Sequence, residues 1–255
     1  LRMETVYRFV LSTSVLLLTL KSNAQISPPG LDHAHTAAWI ALGIEQNLSE
    51  RWTLKLYAGT SGKSTPINYS PVNQQAIRVI NQETQYKFNS HWALGLCTSF
   101  RKQNQYNDEK PFHAGEPAMK NEGRYYLRLY YKMNAGRSKL SLCLRPELRT
   151  FYEGHNAWNP VDEEVRVRLK GQWGIPLDDE DKHELIIGEE LLMATDHNQA
   201  EWTQYGFSEN RISTYYRYSF KTIPVLADIG IMHQVKEDGT YIAHFAVDLI
   251  LVNIL

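Results

Sequence analysis

Polar and apolar side chains alternate almost without interruption through three segments in the middle of the chain. In residues 124–133, one parity holds Arg124, Arg128 and Lys132, and the other holds Tyr125, Leu127, Leu129, Tyr131 and Met133. In 139–149, Lys139, Ser141, Cys143, Arg145, Glu147 and Arg149 alternate with Leu140, Leu142, Leu144, Pro146 and Leu148. In 164–173, Glu164, Arg166, Arg168, Lys170 and Gln172 alternate with Val165, Val167, Leu169, Gly171 and Trp173. A period of two is the signature of a β-strand, whose successive side chains point to opposite faces. One face here is densely charged and the other carries no charge.

Weaker alternation recurs at 39–46, 51–60, 74–88, 91–101, 183–195, 211–220, 225–235 and 241–255. The gaps between segments sort into two kinds. Those at 47–50, 89–90, 134–137, 176–182 and 221–224 are short; those at 61–73, 102–120, 152–163 and 196–210 are long; a last short link, 236–240, falls on the long side. Short turns at one end and long loops at the other are the habit of up-and-down membrane barrels. Eleven segments are legible, an odd number that would start the first strand on the outer side, so either a further strand exists or the N-terminal tail threads the lumen; an even count is favoured. The expectation is therefore an all-β, antiparallel up-and-down transmembrane β-barrel of about 10–12 strands, with twelve preferred.

Alternation alone leaves open which face is inside. A soluble β-protein turns its apolar face inward, and a membrane barrel does the reverse. Segments of roughly ten residues exceed the soluble mean of about 5–6 and match the about 9–11 that a tilted strand needs to cross a bilayer. Tyr125 and Tyr131 bracket Leu127 and Leu129, as rings do at the two edges of an apolar band. A long-stranded soluble β-protein is the alternative.

Composition narrows the class. Lys and Arg number 27 against 28 Asp and Glu, which does not favour a nucleic-acid partner. A mean hydropathy of -0.42 excludes a helical membrane bundle but not a barrel. Residues 1–24 read as a secretory signal: Arg2 and Arg8, an apolar core from Phe9 to Leu20, and Ser22-Asn23-Ala24 before a cleavage at Gln25. Residues 25–37, with Pro28-Pro29-Gly30, read as a flexible tail, and 38–255 as the barrel. The signal together with the strand pattern points to an outer membrane, with membrane lipid and the barrel assembly machinery as partners and a monomer as the expected state.

The charged parity supplies the candidate site. Arg128, Arg145, Glu147, Arg149, Arg166, Arg168, Glu190, Arg211 and Arg217 are expected in the lumen, together with Lys55, Lys132, Lys170 and Asp228. Charges removed from water must be paired, so Glu147 and Glu190 are expected to balance Arg128, Arg145, Arg149, Arg166 and Arg168. The adjacent Glu189 and Glu190 cannot both face the lumen of a regular strand. The same inventory suits an anion-attracting pore, because guanidinium forks fit phosphate and carboxylate. A lipid-modifying enzyme is a third reading. Ser208 and Ser213 lie near one end, but His233 and His244 fall on other strands and no nucleophile motif surrounds either serine. His33 and His35 with Asp32 make at most half a metal site, and residues 178–181 (Asp-Asp-Glu-Asp) read as a solvated turn. Cys97 and Cys143 are expected as free lumenal thiols. No cofactor and no catalysis are expected.

Trp39 with the pair Arg51-Trp52, the run Leu144-Arg145-Pro146-Glu147-Leu148-Arg149, Arg166-Val167-Arg168-Leu169, Glu189-Glu190-Leu191 and Glu209-Asn210-Arg211 together resemble the domain of unknown function 2490 family. The resemblance covers most of the chain after the signal. It implies an outer-membrane-barrel-like fold in Gram-negative bacteria, and no activity.

Overall fold

The computed structural model describes residues 31, 34–107, 109–153, 162–198 and 201–254. The predicted signal, residues 1–24, lies outside these, as do His33, Trp158 and Pro160. The described residues form twelve strands: β1 (Thr36–Asn47), β2 (Trp52–Lys63), β3 (Gln74–Lys87), β4 (Trp92–Tyr106), β5 (Ala114–Ala135), β6 (Ser138–Glu153), β7 (Asp162–Pro176), β8 (His183–Asn198), β9 (Glu201–Trp202), β10 (Gly206–Ser219), β11 (Val225–Lys236) and β12 (Tyr241–Val252). β9 pairs only with the end of β8. The other eleven close into a barrel in which each strand pairs with its predecessor, β8 passing directly to β10.

Closure corrects the expected count of twelve and the expected all-antiparallel ladder. β1 and β12 run parallel, from Thr36 opposite Ala243 to Glu45 opposite Val252. An odd number of meandering strands leaves the first and last pointing the same way. A parallel ladder still satisfies their backbone N–H and C=O groups. Side-chain alternation carries no information about the direction of a neighbour, so it does not decide between an even and an odd count.

At the short-turn end, polar side chains fold the chain back. Ser49 Oγ accepts from the amides of Arg51 (3.3 Å) and Trp52 (3.1 Å), and Asn89 Oδ1 from those of His91 and Trp92 (both 2.9 Å). Asp178 Oδ1 accepts from Lys182 N at 2.9 Å. Gly136 has φ of 64°, a left-handed value that glycine adopts without steric cost, in the two-residue link from β5 to β6. At the opposite end the strands run further than their alternation. The expected loop at 102–120 is mostly strand, since β4 continues to Tyr106 and β5 starts at Ala114 and runs for 22 residues. Gln103 and Asn104, and then Lys120 and Asn121, continue the ladder without a regular apolar parity, so periodicity misses them.

The two faces are sharply different. Outward side chains such as Leu42, Ile80, Leu96, Leu127, Leu144 and Leu249 are exposed, whereas Glu122, Arg149, Glu164 and Arg166 are buried inside. Leu31, Ala37, Ala76, Ile77 and Ile242, with Trp39, form a small apolar cluster where β1, β3 and β12 begin or end on the long-loop side. Ala34 is also buried, and the His35 ring stacks on Tyr69 at 4.7 Å. On β8, Glu190 turns inward. Glu189 turns outward on the regular strand, opposite Gly171 and Ile212, and accepts from Asn210 Nδ2 at 2.9 Å. The one bulge nearby lies on β10, between Phe207 and Glu209.

The parallel seam is directly testable. Leu42 faces Leu249 across it, both on the outer surface. In a background lacking Cys97 and Cys143, the pair Leu42→Cys and Leu249→Cys should crosslink on mild oxidation, read as a mobility shift on non-reducing gels. A folded barrel that does not crosslink would indicate a strand between them.

Candidate functional site

The inner faces of β5, β6 and β7 bring five guanidinium groups to one level. Arg124 stands opposite Arg149, Arg145 opposite Arg168, Glu147 opposite Arg166, and Arg149 opposite Glu164. Side chains directly opposite in a ladder have Cβ atoms about 4.5–5.5 Å apart, so this density of positive charge requires carboxylates within it.

Those carboxylates complete a closed ring. Glu122 pairs with Arg124 (2.5 Å), Arg124 with Glu147 (3.4 Å), Glu147 with Arg168 (3.2 Å), and Arg168 with Glu190 (3.1 Å). Glu190 pairs with Arg211 (3.2 Å), Arg211 with Glu209 (2.6 Å), and Glu209 with Arg166 (3.7 Å). Arg166 then pairs with Glu164, Glu164 with Arg149, and Arg149 with Glu122, where the circuit began. Five glutamates alternate with five arginines. Two more arginines hang from it: Arg145 on Glu147 (2.8 Å) and Arg101 on Glu122 (3.8 Å). Gln234 donates to Glu209 and meets His244 at 2.9 Å, which extends the network to β11 and β12.

Nearer the short-turn end the pairs are separate. Arg128 donates to Glu83 at 2.6 Å, and Tyr130 donates to the same carboxylate at 3.0 Å. Arg217 grips Asp228 with two parallel bonds of 2.7 Å and lies 3.7 Å from Glu184. Lys55 meets Glu45 at 2.9 Å.

Several of these contacts leap over a strand. Arg128 on β5 reaches Glu83 on β3 across β4, Arg166 on β7 reaches Glu209 on β10 across β8, and Tyr57 on β2 reaches Asp248 on β12 across β1 (3.3 Å). In each case the strand crossed presents a small inward residue there: Gly95, Ala194, and Ala41 with Gly43. At Gly95 an added Cβ would lie 2.6 Å from Glu83 Oε1.

All nine residues expected in the lumen are there. The expected pairing is corrected: Glu147 serves Arg145 and Arg168, and Glu190 serves Arg168 and Arg211, but Arg149 and Arg166 are held by Glu122, Glu164 and Glu209, and Arg128 by Glu83. The lumenal inventory read from the sequence does not include these four glutamates. Glu122 and Glu164 lie on the parity of Arg124 and Arg166 and were legible as lumenal. Glu209 fell in an expected loop, and Glu83 sat in the segment with the weakest alternation.

Of the other candidate groups, Ser208 Oγ is buried without a hydrogen-bond partner among the described residues. Ser213 Oγ approaches the Gly188 carbonyl at 3.4 Å, and the His233 ring meets the Tyr241 hydroxyl. Cys97 and Cys143 are free thiols. In the acidic turn, Asp179 pairs with Arg137 (2.7 Å), and Glu180 pairs with Lys182 and Lys221 (both 2.5 Å). These two lysines hold the Glu180 carboxyl down at about 2. Among the described residues no group of three His, Cys, Asp or Glu is placed to hold a metal ion.

A cavity of about 1030 Å³ occupies the lumen, bordered by Ser90, Asn134, Lys139 and Val252 at the short-turn end and reaching Leu31 and Ala37. The fold and its interior define a closed β-barrel with an ion-paired lumen. The sequence profile of the family described as "Protein of unknown function (DUF2490)" matches residues 36–243, from the first residue of β1 into β12. The chain belongs to that family. Among curated proteins none matches it.

Removing one partner from a buried ion pair strands the other charge, at about 3–5 kcal/mol. Glu122→Gln and Glu147→Gln should each lower stability by about that much in urea titrations of the folded barrel. Lys55→Gln, whose pair is part-exposed, should cost under about 1 kcal/mol. Equal effects for the three would mean the ring does not act as a buried unit.

Proposed function

We propose that this protein is an outer-membrane β-barrel of a Gram-negative bacterium, exported by its first 24 residues, with a structural or binding role and no catalysis. One observation carries the reading: every barrel strand turns apolar side chains outward, and the barrel keeps most of its charged groups inside. Exposed residues on successive strands include Ile40, Leu56, Ile80, Leu96, Leu127, Leu144, Leu169, Ile187, Ile212, Ile229 and Val247. The largest apolar patch on a typical soluble monomer is about 300–600 Å², and this belt runs round the whole barrel. Lipid is the solvent in which such a face is stable and its backbone is satisfied without edges.

Rings mark the belt's limits. On the short-turn side Trp52 packs on Tyr86 (4.8 Å), Trp92 on Tyr131 (4.8 Å) and Tyr218 on Phe220 (4.7 Å). Phe100 and Tyr125 lie toward the other edge. From Trp92 to Phe100 is eight residues, or about 21 Å at about 3.4 Å per residue and a tilt of about 40°, close to the roughly 25 Å band of membrane barrels. The partners that follow are membrane lipid and the barrel assembly machinery, with a monomer as the working state. An open pore is disfavoured, because the inward side chains towards the long-loop end, among them Ile77, Gln103, Glu122, Glu164 and Gln234, are buried.

Fractionation tests the location: the mature protein should sediment with outer membranes and migrate differently on gels before and after heating. Recovery as a soluble periplasmic monomer would overturn it. Two substitutions test the face. Leu129→Arg should cost about 2–4 kcal/mol in a bilayer. Glu189→Leu should stabilise the barrel, because its carboxylate faces the middle of the belt, between Ile187 and Leu191. A water-facing surface would leave both changes within about 0.5 kcal/mol.

A further inference from the structure

The surface of the lumenal cavity is far more positive than the lumen as a whole. Eleven Lys and Arg side chains border it, against the carboxylates of Glu45, Glu83 and Glu184. None of the five ring glutamates borders it, whereas Arg124, Arg166, Arg168 and Arg211 do. The glutamates therefore hold the arginines from behind and leave guanidinium edges facing the space. A guanidinium has five N–H donors, more than the contacts to two glutamates use. At the open end Lys132 and Lys139 border the cavity, and neither has a carboxylate within ion-pair distance among the described residues.

We propose that this chamber binds a soluble polyanion bearing phosphate or carboxylate groups, admitted at the short-turn mouth. This rests on the reading of the barrel as a blocked, non-catalytic binding chamber, but not on its membrane location. Donors already fixed in place by glutamates need no reordering to receive an oxyanion. Guanidinium forks match phosphate and carboxylate oxygens two at a time. A cationic cleft with low-dielectric walls also concentrates anions from solution. The volume is at the upper end of small-molecule sites, about 300–1,000 Å³, so it admits a solute up to about the size of a nucleotide. At its far end the cavity meets the apolar cluster of Leu31, Ala37 and Ile77 among buried side chains, which makes the chamber a site of retention and not of passage.

The test is titration calorimetry of the purified, folded full chain in zwitterionic detergent with pyrophosphate and with citrate. One saturable site is expected, weakening as salt rises. Arg145→Gln should weaken pyrophosphate binding at least tenfold, since Arg145 lines the chamber and its loss leaves Glu147 paired with Arg124 and Arg168. Lys132→Gln should weaken it about threefold and keeps the test readable if Arg145→Gln does not fold. Lys102→Gln, on the exposed outer surface, should change nothing. Added phosphatidylglycerol that displaces pyrophosphate would identify a lipid headgroup as the source of the same oxyanion; no displacement would identify a free solute. A folded, heat-modifiable barrel that binds neither probe overturns the proposal, as does binding indifferent to Arg145→Gln and Lys132→Gln. Anion-selective conductance in planar bilayers also overturns it. A chain that is folded and soluble yet binds pyrophosphate would sink the membrane location alone.

Discussion

The closed circuit of Glu122, Arg124, Glu147, Arg168, Glu190, Arg211, Glu209, Arg166, Glu164 and Arg149 is the constraint on which the rest of the structure depends. Charges out of water are tolerated only when each is matched in place. Here every member touches two of opposite sign, so removing any one takes a partner from two neighbours. The circuit spans β5 to β10, the part of the wall where inward charge is densest. It also explains why the alternation of these strands is so strict. A one-residue slip of register would send every guanidinium of a strand to the outer face.

The contacts that leap a strand cut across the curve of the barrel wall. Arg128 to Glu83, Arg166 to Glu209 and Tyr57 to Asp248 are chords across three neighbouring strands. A chord is possible only where the middle strand presents little or no side chain, as at Gly95, Ala194, Ala41 and Gly43. Small residues on inward parities are therefore as much a part of the charged lumen as the arginines are. They look like gaps in a hydrophobic pattern, but their function is clearance.

The same chemistry governs both faces. Turning the ionic groups inward leaves an apolar belt on every strand, which is the ground for proposing a lipid surround. The arginines outnumber the glutamates that the cavity can see, which calls for an anion inside. The long-loop end is packed by the apolar cluster and the ring, and the short-turn end is where solvent reaches the cationic wall.

Much of this was legible in the residues alone. Period two, the sorting of charge to one parity, and the alternation of short and long connections determined strands, a closed β-architecture and the lumenal placement of all nine candidate residues, because each is a property of local geometry repeated along one chain. Glu122 and Glu164 were legible by the same rule. The strand count, the parallel seam of β1 and β12, and the extension of β4 and β5 through polar sequence were not, because a backbone ladder needs no apolar parity and alternation does not reveal a neighbour's direction. Which glutamate meets which arginine was decided only by the tertiary structure. Ion pairing here depends on stagger between strands up to two places apart, with Glu83 and Glu209 reached over Gly95 and Ala194, and no single strand's sequence encodes that distance.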